Sequence, residues 1–417
     1  MGGPLKTGFR GKVLTACADA AGLRYLEDGL VVLDDQGRIA EVDAYSLDLA
    51  RDVTVRDVRP WLISPGFVDA HLHFPQIRVI GSASGPLLPW LERTVFPEEA
   101  RFVDVKHART VAEELVQRLA SAGTTTAVLY SSSSPQATRV LFEMLSQSGI
   151  RAIAGLTLMD QNCPDALRVP ADRALEAAAE LVQAFHGYDH GRLAFAMTPR
   201  FAPTCSRALL EGAAQLAHDK KLYVQTHISE NADEVDAALE VHPWANDYLD
   251  VYEKTGLLGS RSLLAHAIHL SSSEWDRIRD HDARVVHCPD SNFFLGSGRH
   301  RLSEPQRRGI RVAVGTDVAA GRTFDVRRIL SSAYDNALCL GDRVAPADLF
   351  RLGTLGGAEA LGMEKAIGSL EPGKDADICL IELPDYVNGE ANVLSRVVFG
   401  SDTALVRETY VRGKQLV

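Results

Sequence analysis

The chain has 417 residues, 46% of them apolar and 24% charged, which is ordinary globular composition and enough for one large domain or a large domain with a smaller companion. A formal net charge of −11 argues against a nucleic-acid-binding surface and against a polybasic membrane patch, and its plain role is solubility. No apolar run approaches a membrane span, and the dispersed Cys17, Cys163, Cys205, Cys288, Cys339 and Cys379, with no CxxC pair, predict free thiols in a reducing cytoplasm.

The opening "MGGPLKTGFRGKVLTACADA" lacks the apolar core of a signal peptide. Lys6 also stands where a myristoylation start at Met1-Gly2 needs Ser or Thr. The first sixty residues read as short strands: a run over 30–33, a turn at Asp34-Asp35-Gln36-Gly37, then an alternating strand from Arg38. After Pro65 the rhythm changes. Eight short apolar runs follow, over 67–71, 124–130, 152–158, 193–198, 222–227, 262–266, 284–287 and 311–316. Helix-length stretches such as "DVKHARTVAEELVQRLASAG" and "ADRALEAAAELVQAFHG" lie between most of them. Near-continuous apolar strands alternating with helices predict an α/β fold, a parallel sheet covered by helices, and eight units fit a (β/α)₈ barrel. A doubly wound open sheet is the alternative, but no Gly-rich phosphate turn follows any strand. "GSLEPGKDADICLIELPD" and "ALVRETYVRGKQLV" return to short strands, so the two ends are expected to build one small β domain. The expected division is 1–65, 66–367 and 368–417.

In a barrel the chemistry sits at the C-terminal ends of strands. Here those ends carry residues that a core would not choose: His71 and His73, then Arg200, then His227 with Glu230, then His266, then Asp317. Each has a plain explanation by itself. Asp317 suits a helix cap, Glu230 a solvated first helical turn, Arg200 a surface ion pair, and each lone histidine an ordinary hydrogen bond. Five separate strand ends would each need such a coincidence. Jointly they have a chemical logic. The spacing of His71 and His73 puts both rings on one side of a strand. With His227 and Asp317 they form a three-imidazole, one-carboxylate set suited to Zn²⁺, at about 2.0–2.2 Å. Such an ion brings the pKa of bound water to about 7. Glu230 is placed to shuttle protons and His266 to steer the nucleophile. His107, His269 and His287 have no matching position.

The motifs "PGFVDAHLHFPQ", "LPWLERTVFPEEARF", "GTTTAVLY", "LMDQN", "TPRFAPTCS", "QTHISEN", "LLAHAIHLS", "HCPDSNFFLGSG", "VGTDVAAG" and "TLGGAEALG" span nearly the whole chain. They resemble the amidohydrolase superfamily and, more narrowly, its guanine deaminase family. The narrower likeness rests on Gln76 in "HFPQ", Arg200-Phe201 in "TPRF" and the "WLERTVFP" block. It implies a distorted barrel with a composite β-sandwich from both termini, and zinc-dependent deamination of guanine to xanthine. It implies metal on His71, His73, His227 and Asp317, with Glu230, Asp317 and His266 catalytic. Substrate is expected on Gln76, Arg200, Phe201, His73, His227 and Glu230, in a cytoplasmic homodimer.

The same ligands accept iron(II) or another divalent ion. A two-metal site bridged by a carbamylated lysine is disfavoured, because "RLAFAMTPR" and "RAIAGLTLMDQ" hold no lysine. Cys163, "AHAIHL" and Asp290 depart from the family pattern near the expected pocket rim. Competing readings are a related deaminase of 8-oxoguanine or of an aminotriazine such as ammeline, and a catalytically dead scaffold. A cytidine-deaminase fold fails, since it needs Pro-Cys-x-x-Cys and only Cys288 stands there.

Overall fold

Each of the eight apolar runs after Pro65 forms a buried strand in the computed structural model, which describes residues 6–17, 22–82 and 85–416. The reading placed on Met1-Gly2 lies outside the described residues. The strands are Phe67–His73, Thr124–Tyr130, Arg151–Gly155, Leu193–Pro199, Tyr223–Ile228, Ser262–His266, Arg284–His287 and Val312–Val314. They pair in parallel in chain order. The third expected run is broken at Leu156, and Thr157–Leu158 pairs separately with the fourth strand.

The eighth strand is shorter than its apolar run because Gly315, Thr316 and Asp317 leave the ladder to close the barrel. Asp317 N donates to His71 O at 2.7 Å, and His73 N donates to Val318 O at 2.9 Å. Gly315 permits this approach: a Cβ there would lie 2.5 Å from the Cβ of His71.

Small and branched side chains, among them Val68, Ala70, Val128, Ile153, Ala196, Ala265 and Val286, fill the barrel interior. A larger cluster lies between the strands and the helices outside them. The two stretches singled out for periodicity form the helices Val105–Ser121 and Ala171–Phe185. Asp104 caps the first by accepting from Lys106 N at 2.9 Å.

Seven further strands, from both ends of the chain, form one mixed sheet. Its order is Lys414–Gln415, Leu405–Val411, Ile378–Glu382, Val53–Pro65, Lys6–Ala16, Leu23–Leu33, Ile39–Ala44. Only Lys6–Ala16 and Val53–Pro65 pair in parallel. Alternate residues such as Ile378 and Cys379 feed separate apolar clusters on its two faces.

Candidate metal and ring-binding site

The first strand gains one residue over its neighbour between Asp69 and Leu72, where Ala127 and Leu129 stand opposite. Such a bulge re-aims the side chains that follow it. Val68 and Ala70 lie in the barrel interior and Leu72 in the outer cluster, so His71 and His73 on either side of Leu72 face inward. Asp69 fixes this segment to the eighth strand: its carboxylate accepts from Thr316 N at 2.9 Å and Thr316 Oγ1 at 2.6 Å. Burial pushes the Asp69 carboxyl up to about 6. Ser229, His266, Ala267 and Asp317, at or just beyond strand ends, hold left-handed backbone with φ of 49°, 72°, 51° and 48°. Each such non-glycine residue costs about 1–3 kcal/mol, strain that active sites characteristically store.

His71, His73, His227 and Asp317 bring one ligand atom each to within 4.8 Å of one another, all buried. His71 Nε2 and His73 Nε2 lie 3.1 and 3.3 Å from Asp317 Oδ1, and His73 Nε2 lies 3.2 Å from His227 Nε2. His227 Nδ1 donates to Arg200 O at 2.6 Å, which leaves its Nε2 as a bare lone pair turned into the cluster. His71 Nε2 has no hydrogen-bond partner among the described residues. Burial lowers all three imidazoles, His73 to about 4, so they are neutral and able to ligate. Burial alone would raise Asp317, but the adjoining His71 and His73 rings hold it well below the usual carboxylate range. The residues present therefore fit a divalent cation with N and O preferences.

Glu230 is pushed the other way. Burial first, and the Asp317 charge second, raise its carboxyl well above the usual range. Its Oε2 lies 3.4 Å from His266 Nε2, which is 3.7 Å from Asp317 Oδ2, and Ser297 Oγ donates to its Oε1 at 3.3 Å. Asn292 Oδ1 steadies the His266 ring at 2.9 Å from Nδ1. One carboxyl kept protonated beside another kept ionised is an acid–base pair.

A cavity opens above this cluster. His73, Gln76, Arg200, Phe201, His227, Glu230 and Asp317 line it, while His71 and His266 lie outside its lining. The plain readings of three residues do not hold: Glu230 is not solvated, Asp317 engages histidines, and Arg200 pairs with Glu99 inside the protein. Of the lower-ranked histidines, His107 pairs with Glu98 and His269 with Ser297 O. His287 is buried with neither nitrogen partnered among the described residues. Asp290 accepts from Arg322 N at 2.7 Å, and Cys163 packs against the apolar cluster that includes Leu87, Trp90 and Phe201.

Asp69, Glu99, Asn292 and Ser297 were missed by the sequence reading. All four lie inside motifs that were singled out, but nothing local to them reveals their distant partners.

An eight-stranded parallel barrel with this donor set at its strand ends defines a metal-dependent hydrolase fold. The profile described as "Amidohydrolase family" matches residues 62–416, and the chain belongs to that family. Within it, the chain is 37% identical over 396 residues to the guanine deaminase of Escherichia coli (strain K12), covering 94% of this chain and 88% of that one. The solved E. coli guanine deaminase matches with a TM-score of 0.94 at 35% identity over 99% of both chains. A guanine deaminase from C. acetobutylicum with guanine bound in its active site matches at 0.92 and 31% identity, over 99% of this chain and 100% of that one. A zinc-bound adenosine deaminase from Xanthomonas campestris matches at 0.86 and 26% identity, over 98% and 92%.

Proposed function

We propose that the chain is a guanine deaminase, which hydrolyses the amino group from C2 of guanine to give xanthine and ammonia. The observation that best supports this is one cavity with two unlike walls. One carries His73, His227 and Asp317 beside the buried acid Glu230; the other carries Gln76, Arg200 and Phe201. The likeness to guanine deaminases, one of them with guanine bound, supports the choice of ring.

His71, His73, His227 and Asp317 would hold a divalent ion, which would supply a nucleophile from water near neutral pH by bringing the water's pKa to about 7. Glu230 keeps its proton because burial disfavours its ionised form. It gives that proton to N3 of the ring, making C2 electrophilic, and takes one from the attacking water. His266, held by Asn292, orients the reacting oxygen against Glu230 and Asp317. As the C2–N bond breaks, the proton of the new C2 hydroxyl passes through Glu230 and Asp317 to the amine, which leaves as ammonia. Arg200 and Gln76 hold the opposite ring edge with forked and amide hydrogen bonds.

The same proposal makes zinc the resident ion, with iron(II) the alternative, one per subunit of a cytoplasmic homodimer. It takes 66–367 as the catalytic barrel and 1–65 with 368–417 as the terminal β unit. Elemental analysis and sedimentation check ion and assembly. The deciding experiment is a panel of guanine, 8-oxoguanine and ammeline followed by ultraviolet change and ammonia release. Faster turnover of ammeline or 8-oxoguanine sinks the ring assignment. Arg200→Ala should lower kcat/KM for guanine by up to about 10⁴-fold with metal content unchanged.

A further inference from the structure

Glu99 takes no part in the steps above, yet it joins the two residues assigned to the ring edge. It is 4% exposed and accepts three hydrogen bonds. Gln76 Nε2 donates to Oε1 at 2.9 Å, while Arg200 Nη1 donates to Oε1 at 2.9 Å and to Oε2 at 2.6 Å. Gln76 and Arg200 line the cavity; Glu99 stands behind them.

A side-chain amide has two orientations of nearly equal shape, and only one suits a carboxylate, which accepts but does not donate. Turning Gln76 over would aim its oxygen at Glu99. It would also aim its NH₂ at Ala319 N, which now donates to Oε1 at 3.4 Å. Both contacts would become repulsive, so the amide is held in one sense. Arg200 is anchored by the same carboxylate, with its guanidinium carbon 5.2 Å from the Phe96 ring centroid. Among the described residues, Nη1 alone of its guanidinium nitrogens meets a protein acceptor, and the rest of the fork is left for a ligand.

We propose that Glu99 is the positioning residue that sets the cavity's preference for a ring carrying a carbonyl at the edge facing Arg200 over one carrying an amino group there. This rests on the guanine reading above and deepens it. With Glu99 in place, the wall offers fixed N–H donors, which an exocyclic carbonyl satisfies and an exocyclic amine meets donor to donor. Without its carboxylate, Gln76 is free to turn and Arg200 loses its anchor, so the wall adapts to either edge. The same segment delivers the apolar side of the pocket. The helical turn Leu87–Trp90, a wider π-helical turn Leu91–Val95 and the turn Phe96–Glu99 run consecutively, and Leu87, Trp90 and Leu91 line the cavity.

Glu99→Gln preserves size while exchanging one acceptor oxygen for a donor. Hypoxanthine and adenine, which carry a carbonyl and an amine at C6 and no amine at C2, separate binding from chemistry. The wild-type holoenzyme should bind hypoxanthine more tightly than adenine by calorimetry. In Glu99→Gln the hypoxanthine Kd should rise about 10–100-fold while that of adenine moves little, so the preference collapses. For guanine, KM should rise more than kcat falls, with metal content unchanged. Equal weakening of both rings, or an unmoved ratio, overturns the proposal and leaves Glu99 a structural residue. If Glu99→Gln is not recovered folded, Glu99→Asp keeps the charge but shortens its reach. It should narrow the ratio in the same direction, and an unchanged ratio there also overturns the proposal. Failure of the wild-type protein to turn over guanine falls on the proposed function; a ratio that does not respond to the variants falls on Glu99 alone.

Discussion

At the start of the third barrel strand, Arg151 is buried against two carboxylates of the C-terminal segment; at the far ends of the strands, Glu230 and Asp317 are buried among imidazoles. In the first cluster every charge meets its opposite. Arg151 Nε donates to Asp377 Oδ2 at 3.1 Å and Nη2 to Asp375 Oδ2 at 2.7 Å. Arg412 adds its backbone N to Asp377 Oδ1 at 3.0 Å and its Nε to Asp375 Oδ2 at 3.2 Å. In the second, two carboxylates stand close together, and His71 Nε2 and His266 Nε2 find no hydrogen-bond partner among the described residues. A saturated buried network joins parts of a fold, here the barrel to the terminal sheet. One whose donors converge on a point and stay unpaired is built for a guest.

The hardest way to break this contrast is to take the guest away. Chelation should abolish deamination and lower Tm, since an ion that binds only the folded chain stabilises it. Added Zn²⁺ should restore both in the wild type, whereas Asp317→Ala should stay inactive. Full activity after verified metal removal would end the metal reading. Next in size is Glu230→Gln, which keeps the shape and removes the shuttled proton. It should cost about 10²–10⁴-fold in kcat with metal still bound, and near-normal turnover would reassign the shuttle. The converse lies at the other cluster. Arg151→Met takes the guanidinium from the buried Asp377 and should cost about 3–5 kcal/mol in urea unfolding, with kcat of the folded enzyme unchanged. A kcat defect at constant stability would show that the two clusters are not independent.

The saturated cluster was invisible in the sequence and the unsaturated one was not, for the same physical reason. Arg151 sits 226 residues from Asp377, and nothing local marks either residue as a partner. The metal set is legible because barrel geometry demands chemistry at strand ends, and His71, His227, His266 and Asp317 each end an apolar run. The eight strands were legible through those runs. The exception in detail is the eighth, whose last residues leave the ladder at Gly315 for a close approach that has no apolar signature. Lys6–Ala16 and Val53–Pro65 fall under the general reading of the first sixty residues as short strands, but their bounds were not legible. Lys6–Ala16 is buried on successive residues where it crosses from one face cluster to the other, so no alternation appears. Glu99 was missed for a different reason. The π-helical turn before it changes the phase, so a 3.6-residue count does not tell which of Glu98 and Glu99 faces inward. Glu98 turns to Arg101 and His107, and Glu99 to Arg200.

Glu234 tests the contrast most finely, because it is saturated like the first cluster yet uncompensated like the second. It is fully buried and accepts from Glu230 N at 2.7 Å, Asn231 N at 3.2 Å and the Tyr248 hydroxyl, none of them cationic. Burial pushes its carboxyl from the usual 4.5 up to about 7, against the pull of those hydrogen bonds. The sign follows from proton counting. Between 4.5 and 7 the unfolded chain releases a proton that the folded chain keeps, so stability falls as pH rises through this window and levels off above it. The span corresponds to roughly 3 kcal/mol at most. Glu234→Gln carries no such proton. Its urea-unfolding free energy should start lower, because one acceptor is lost, but should run flatter than wild type between about pH 5 and 8. A variant that keeps the wild-type slope would assign the titration elsewhere, and Asp69, raised to about 6, would be the next carboxyl to replace.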